Sequence, residues 1–204
     1  ACSDGRVERC SIRDPAGVGV HVTGDDNVIE RCRVRDATGD GLALRDGSSS
    51  TGNVLLRNRV RRGLSHGLVL AGSGNRAERN RVVLPALRGY VVGGTGAHTL
   101  VKNVVNKAGT DGAYLAPGSD GNVFEDNRLL RSGTDGLDVE SDGNSFTKDA
   151  SLGSRSTGIE VEGTANAFDR VRSLFSSGFD LVVTNVGNAF VKSKIGTIDP
   201  DTDD

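Results

Sequence analysis

The stretch Gly136-Leu137-Asp138-Val139-Glu140-Ser141-Asp142-Gly143-Asn144-Ser145-Phe146 is followed, 22 residues on, by Gly158-Ile159-Glu160-Val161-Glu162-Gly163-Thr164-Ala165-Asn166-Ala167-Phe168. Both copies hold the same sequence of events: a glycine, a four-residue alternation, a turn, an Asn and a Phe two residues beyond it. The Asn recurs as Asn27, Asn53, Asn75, Asn122, Asn144, Asn166 and Asn188, with His98 in the one gap, at steps of 22 to 26 residues. Fourteen residues after it stands a glycine, from Gly41 through Gly67, Gly89, Gly112 and Gly136 to Gly158, and Gly178 follows at an offset of twelve. Alternation after the glycine, as in Gly67-Leu68-Val69-Leu70, predicts a strand with one buried face. A second short strand follows the Asn, with Val7, Ile29, Leu55, Ala77, Leu100, Phe124, Phe146, Phe168 and Phe190 inside. Short strands repeating every 22 residues or so cannot bury their faces singly, so each repeat must stack on the next as one coil of a solenoid.

Composition agrees with this and narrows the alternatives. A chain of 204 residues with 35% apolar residues builds one domain. It has no apolar run long enough to span a membrane as a helix, and glycine does not fall at every third position as collagen requires. The domain reading is one β-helix over residues 1–196 and an acidic tail over 197–204. Residues 1–102 hold 16 Lys and Arg against 10 Asp and Glu, whereas residues 103–204 hold 9 against 17. The halves are therefore +6 and −8, which points to two surfaces with different partners. Three cysteines cannot all pair, and Cys10 and Cys32 fall in one column of adjacent coils, where bridging parallel neighbours would strain the bond. They are expected as two small buried thiols, and Cys2 lies outside the pattern.

The strand Gly-φ-x-φ, the turn, and the Asn-x-φ-x-x-Asn-x-φ segment resemble the right-handed parallel β-helix repeats of the pectate-lyase-like superfamily, over roughly residues 4 to 196. The resemblance implies an all-β right-handed parallel β-helix of about eight to nine coils. It also implies a location outside the cytoplasm or at the cell surface. For activity it leaves a wide choice, because the architecture carries lyases, hydrolases, epimerases, spikes and adhesins.

In such a helix, equivalent residues of adjacent coils lie ~4.8 Å apart, so alignment columns become ladders. Phe124, Phe146, Phe168 and Phe190 are expected as an aromatic stack. Asn58, Asn80, Asn103 and Asn127 are expected as an amide ladder. The residue two after each glycine is expected to face outward, a column reading His21, Ala43, Val69, Val91, Tyr114, Asp138, Glu160 and Asp180. Asp138, Glu160 and Asp180 thus fall on consecutive coils, with Glu140 and Glu162 further along the same strands. Like charges on paired strands repel, so the strip needs a proton, a cation or a substrate to offset it, or else it is a solvated acidic face. One coil between Asp138 and Glu160 suits a retaining carboxylate pair, and two coils between Asp138 and Asp180 suit an inverting pair. A Ca²⁺ ion held by Asp138, Glu160, Glu140 and Glu162 is the other reading.

Gly-Thr-Asp-Gly occurs at 109–112 and 133–136 and resembles the Asn-Thr-Asp motif of polygalacturonase-type glycosidases. Carried over by position, Asp111 and Asp135 become catalytic candidates, although the recurrence also reads as turn chemistry. Ser65-His66-Gly67 likewise resembles the family's Gly-His-Gly, but His66 lies two coils from Asp111. On another side, Arg57, Arg59, Arg79 and Arg81 belong to a basic strip whose forks suit carboxylates and sulfates, partly offset by Glu8, Glu30 and Glu78. With Tyr114 as an aromatic platform, these arginines are the expected substrate-binding groups. Absence of aromatic platforms beside the strip argues against nucleic acid.

The functional expectation is binding, and processing of lyase, hydrolase or epimerase type, of an acidic polysaccharide on the outer face. The alternative is a non-catalytic structural or adhesin-like module of a larger extracellular protein. If an enzyme, the chain is expected to be a polysaccharide lyase or glycoside hydrolase. Because the chain opens almost within a coil, a preceding domain or self-association through the open coil end is also expected.

Overall fold

The computed structural model describes residues 4–45 and 50–198. Three parallel sheets wind into a solenoid of nine, nine and eight strands, each strand two or three residues long. The first sheet runs from Arg6–Glu8 to Ala189–Val191 and carries the strands that follow each Asn. The second runs from Ser11–Arg13 to Lys194–Ile195, and the third, after each glycine, from Val20–Val22 to Leu181–Val183. Every named pair is parallel and in register, with Phe124 beside Phe146 and Phe146 beside Phe168. No helix among the described residues is long and apolar enough to cross a membrane.

The second sheet was not legible as a strand in the repeat. Most of its strands bury a single residue, Val34, Val60, Val82, Val105 and Leu129 among them. The corner leading into it carries no glycine to mark it. Arg9, Arg31, Arg57, Arg79, Lys102, Asp126, Lys148, Arg170 and Lys192 all adopt φ between 49° and 58° there. Such left-handed residues are normally Gly or Asn, and here the long side chains simply point away from the coil.

The core is a stack of columns. Phe rings lie 5.0, 4.6 and 4.4 Å apart from Phe124 to Phe190, the last two pairs nearly coplanar. Asn58 donates its amide to Asn80 Oδ1 at 3.1 Å and to the Ile29 carbonyl at 2.8 Å, and the pattern repeats through Asn127. The repeating turn Asn forms a second such column instead of merely shaping a bend. Asn53, Asn75, Asn122, Asn144 and Asn166 are buried, and each accepts the backbone N–H of its counterpart one coil earlier where that contact is made, as in Asn53 N to Asn75 Oδ1 at 2.8 Å. His98 does the same, its Nδ1 accepting Asn75 N–H at 3.2 Å while its Nε2 meets the Gly93 carbonyl at 2.9 Å. Burial pushes the His98 pKa down, consistent with a neutral ring that accepts at one nitrogen and donates at the other.

The glycine column has a steric cause. A Cβ at Gly67 would lie 2.3 Å from Val82 Cγ1 and 2.6 Å from the Gly89 carbonyl oxygen, so the third sheet can press on the next coil only without one. Cys10 and Cys32 are free thiols. Cys32 is buried as expected, whereas Cys10, on the first described coil, is exposed. Cys2 lies outside the described residues. The solenoid continues past residue 196, since Asp180 donates to the Thr197 carbonyl and Ile198 bridges Leu181. Residues 199–204 lie outside the described residues.

Candidate functional site

The residue before each glycine ends the turn from the second sheet to the third. Backbone bonds stack these residues from coil to coil as Asp40, His66, Arg88, Asp111, Asp135 and Thr157. Directly after the glycine, the third sheet presents its outward column, in register as His21, Ala43, Val69, Val91, Tyr114, Asp138, Glu160 and Val182. The two columns meet in a groove of about 430 Å³ lined by His66, Leu87, Arg88, Thr110, Asp111, Thr134, Asp135 and Asp138.

Polar contacts hold the groove walls in place. Arg88 Nε donates to Asp111 Oδ2 at 2.8 Å, and its guanidinium lies 3.7 Å from the centre of the Tyr114 ring. Tyr114 donates its hydroxyl to Glu140 at 2.8 Å. Asp111 also accepts from the Thr134 hydroxyl and from Asp135 N–H, and Asp135 accepts Thr157 N–H at 2.7 Å. The Asp of Gly-Thr-Asp-Gly therefore ties its own coil to the following one, as Asp40 does with Ser65 and His66. That is a bracing between coils and not the local turn chemistry read from the motif.

Asp138 sits where these carboxylates crowd. Burial, and then Asp111, Glu140, Glu160 and Asp135, push its pKa up to about 7. Glu160, its strand neighbour one coil on, is raised by burial and by Asp135 and Glu162. Burial and the Glu140 carboxylate push Tyr114 up to about 12. His66 is lowered, chiefly by burial, so its ring is neutral near pH 7, and its Nδ1 accepts Arg88 N–H at 3.3 Å.

The fold brings together Asp111, Asp135, Asp138, Glu160, Glu140 and Tyr114 from the expected set. Asp180 does not belong with them. The last coil keeps the 22-residue step, so Val182 pairs with Glu160, and Asp180 stands in the glycine column in line with Gly158. It is buried and accepts Ser176 N–H and Thr197 N–H, both at 2.9 Å. Gly178, two residues too early, was a misleading marker, and the two-coil pair with Asp138 falls away. Glu162 is exposed beyond its strand end. Among the described residues no three His, Cys, Asp or Glu side chains are placed to hold a metal ion, so the four carboxylates expected around Ca²⁺ do not converge.

The expected substrate-binding group divides in the same way. Arg57 and Arg79 occupy the corner between the first and second sheets, and Arg59 and Arg81 open strands of the second sheet, whereas Tyr114 is on the third. Tyr114 is no free platform either, since Arg88 covers one face of its ring. Arg88 is a cation committed to Asp111. Its position immediately before a glycine, one coil before Asp111, was the signal that could have revealed this pairing.

Comparison with known proteins bears on the fold. A family model described as "Right handed beta helix region" matches residues 1–97. The catalytic unit of a thermostable GH87 alpha-1,3-glucanase from Streptomyces thermodiastaticus strain HF3-3 superposes with a TM-score of 0.64 at 17% identity, over 95% of this chain and 49% of that one. A PL6 alginate lyase in complex with a trisaccharide gives 0.59 at 14%, over 95% and 55%. Pectate lyase Pel9A gives 0.55 at 14%, over 94% and 52%. The chain thus spans about half the length of these structures. No curated protein matches it significantly. The chain is a right-handed parallel β-helix of the kind seen in pectate lyases and glycoside hydrolases.

Proposed function

We propose that the groove on the third sheet hydrolyses a polysaccharide that is uncharged where it is cut. The observation that carries this reading is Asp138, a half-buried carboxyl one coil from Glu160 with a pKa near 7. Two carboxylates this close do not both ionise readily, so the pair retains one proton near neutral pH. Asp138 gives that proton to the glycosidic oxygen as the bond to the anomeric carbon breaks. Glu160 attacks that carbon from the other side to form a glycosyl-enzyme ester, at a separation of one coil, ~4.8 Å along the axis, close to that of a retaining pair; a water that Asp138 deprotonates then attacks the same carbon and releases the sugar and Glu160. Asp111, held by Arg88 and Thr134, fixes the wall against which Asp138 is placed.

Charge argues for a neutral chain. Asp111, Asp135, Asp138, Glu140 and Glu160 surround the cleavage point, and Arg88, which lines the groove, is already paired with Asp111. A uronate there would meet charge of its own sign. Elimination would need a cation to neutralise that uronate, and Arg88 is not free to do so. Along the axis the same column turns apolar at Val91, which is half-buried and offers an apolar sugar face a contact, while Val69 and Ala43 beyond it are buried. The relatives in fold named above are a glucanase and two lyases, which supports carbohydrate as the substrate class.

A depolymerisation screen tests the proposal, using neutral α- and β-glucans beside pectate, alginate and sulfated glycans, each with Ca²⁺ and with chelator. New reducing ends are expected from a neutral glucan. Asp138→Asn should lower kcat by about 100-fold or more with its melting temperature retained, because the general acid is lost and repulsion is relieved. In the wild type, kcat should fall as pH rises through about 7, the point at which Asp138 gives up its proton. Equal turnover by Asp138→Asn and Glu160→Gln would remove the catalytic assignment. Cleavage of uronates alone, or of nothing, would overturn the hydrolase.

A further inference from the structure

Seven arginines on and beside the second sheet have no use in the groove. On the outer face of that sheet, Arg33, Arg59 and Arg81 stand side by side on adjacent strands. Arg13, Arg35 and Arg61 form a second row, with Arg35 and Arg61 two residues along the strands of Arg33 and Arg59 and Arg13 on the strand before. Arg57 flanks the array from the left-handed corner. None of the seven has an ion pair or side-chain hydrogen bond among the described residues, although several acids nearby are engaged by other arginines. Glu8 and Glu30 pair with Arg6 and Arg31, Glu78 with Arg76 and Arg79, and Asp36 with Arg62. Arg61 Nε is even buried without a partner.

Like charges directly opposite on paired strands destabilise a sheet, and here two rows of three face one another with no carboxylate between them. Each row spans three strands in succession and then stops, where Arg81 meets Val104 in the first row and Arg61 meets Val83 in the second. We propose that this face binds a linear acidic polysaccharide, one bearing a carboxylate or sulfate on its sugars, at a site separate from the groove. Guanidinium forks take both groups through two parallel hydrogen bonds. Successive forks lie ~4.8 Å apart along the axis, on the order of one sugar unit, so a chain laid along the solenoid meets an arginine at each coil. Nucleic acid fits less well. The face is flat, with nothing to enter a groove, and has no aromatic ring on which a base could stack.

The test is a titration of the whole chain with polygalacturonate and with dextran sulfate, at about 50 and 200 mM NaCl, with single-stranded and duplex DNA as competitors. Binding is read directly, without turnover, so it does not depend on the groove being an enzyme. The expected result is binding of at least one glycan, weakened by salt and weakened about tenfold or more in the triple variant Arg33→Ser, Arg59→Ser, Arg81→Ser. The polymer that binds tells carboxylate from sulfate. Lys148→Asn with Lys192→Asn, on the corner of the acidic half, should leave binding as it was. Unchanged affinity in the triple Ser variant, equal loss in the Lys variants, or tighter binding of DNA than of either glycan would overturn the proposal. If the Ser variant fails to fold, Arg→Lys at the same three positions keeps the charge and removes the fork. A loss of about threefold then supports the site, and no loss overturns it.

Discussion

Asp149 shows how much one atom decides inside a ladder. It ends the run of Asn58, Asn80, Asn103 and Asn127, and its Oδ1 accepts both the backbone N–H and the amide of Asn127 at 2.7 and 2.9 Å. Its Oδ2 takes the place where each Asn offers an amide hydrogen to a carbonyl, and it is buried without a partner. Burial raises the pKa to about 7 in spite of the Asn127 and Thr147 N–H groups that favour the anion. The folded value lies above the usual carboxylate value, so the folded state binds the proton more tightly than the unfolded state. Stability from this group is therefore full below about pH 4 and is lost as pH rises towards 7. Asp149→Asn should remove that loss, leaving the denaturation midpoint unchanged near pH 4 and raising it at pH 8 by an amount worth up to roughly 4 kcal/mol. Matching midpoints of variant and wild type at pH 8 would show that the carboxyl finds another partner.

Among the strands, the close approach of the third sheet to the coil that follows depends on a missing Cβ. Gly67→Ala should cost about 1–3 kcal/mol by forcing Val82 aside, whereas Gly17→Ala, with nothing within 4 Å of the added atom, should be near neutral. Urea midpoints of the two variants make the comparison. The Phe stack is tested in the same way, with Phe146→Ala expected to lose about 3–5 kcal/mol because neighbouring coils cannot collapse into the space. These elements were legible because packing leaves a mark at a fixed offset, a glycine where no side chain fits and a Phe or Asn where like stacks on like. The second sheet left no comparable mark. Its corners put Arg and Lys into a left-handed conformation that no residue type announces, and its single buried Val looks like any other. Asp180 was misplaced for a related reason, since a nearby glycine at 178 outweighed the 22-residue spacing that the backbone follows.

Taken together, the coils separate charge by position around the axis as well as along it. The groove of Asp111, Asp135 and Asp138 belongs to the third sheet, and the arginine rows belong to the second. Binding of a polyanion to the rows should weaken by about tenfold or more between 50 and 200 mM NaCl, since several paired charges release counterions. Turnover of a neutral glucan should change by less than about twofold over the same range, because its contacts carry no net charge. Parallel salt dependence of the two readouts would mean that one surface serves both. The opposite net charges of the two halves, +6 and −8 in the sequence, already indicated different partners but not which face each charge occupies.

Spacing alone was enough to establish the solenoid, its coil length, the inward Phe and Asn columns and the acidic strip of Asp138 and Glu160. Each of these follows from the rule that residues one period apart become neighbours in a stack of parallel strands. The turns decided the rest, because the rotation of the chain at each corner sets which columns share a face. They brought Arg88 over Tyr114 and against Asp111, and turned Asp180 inward.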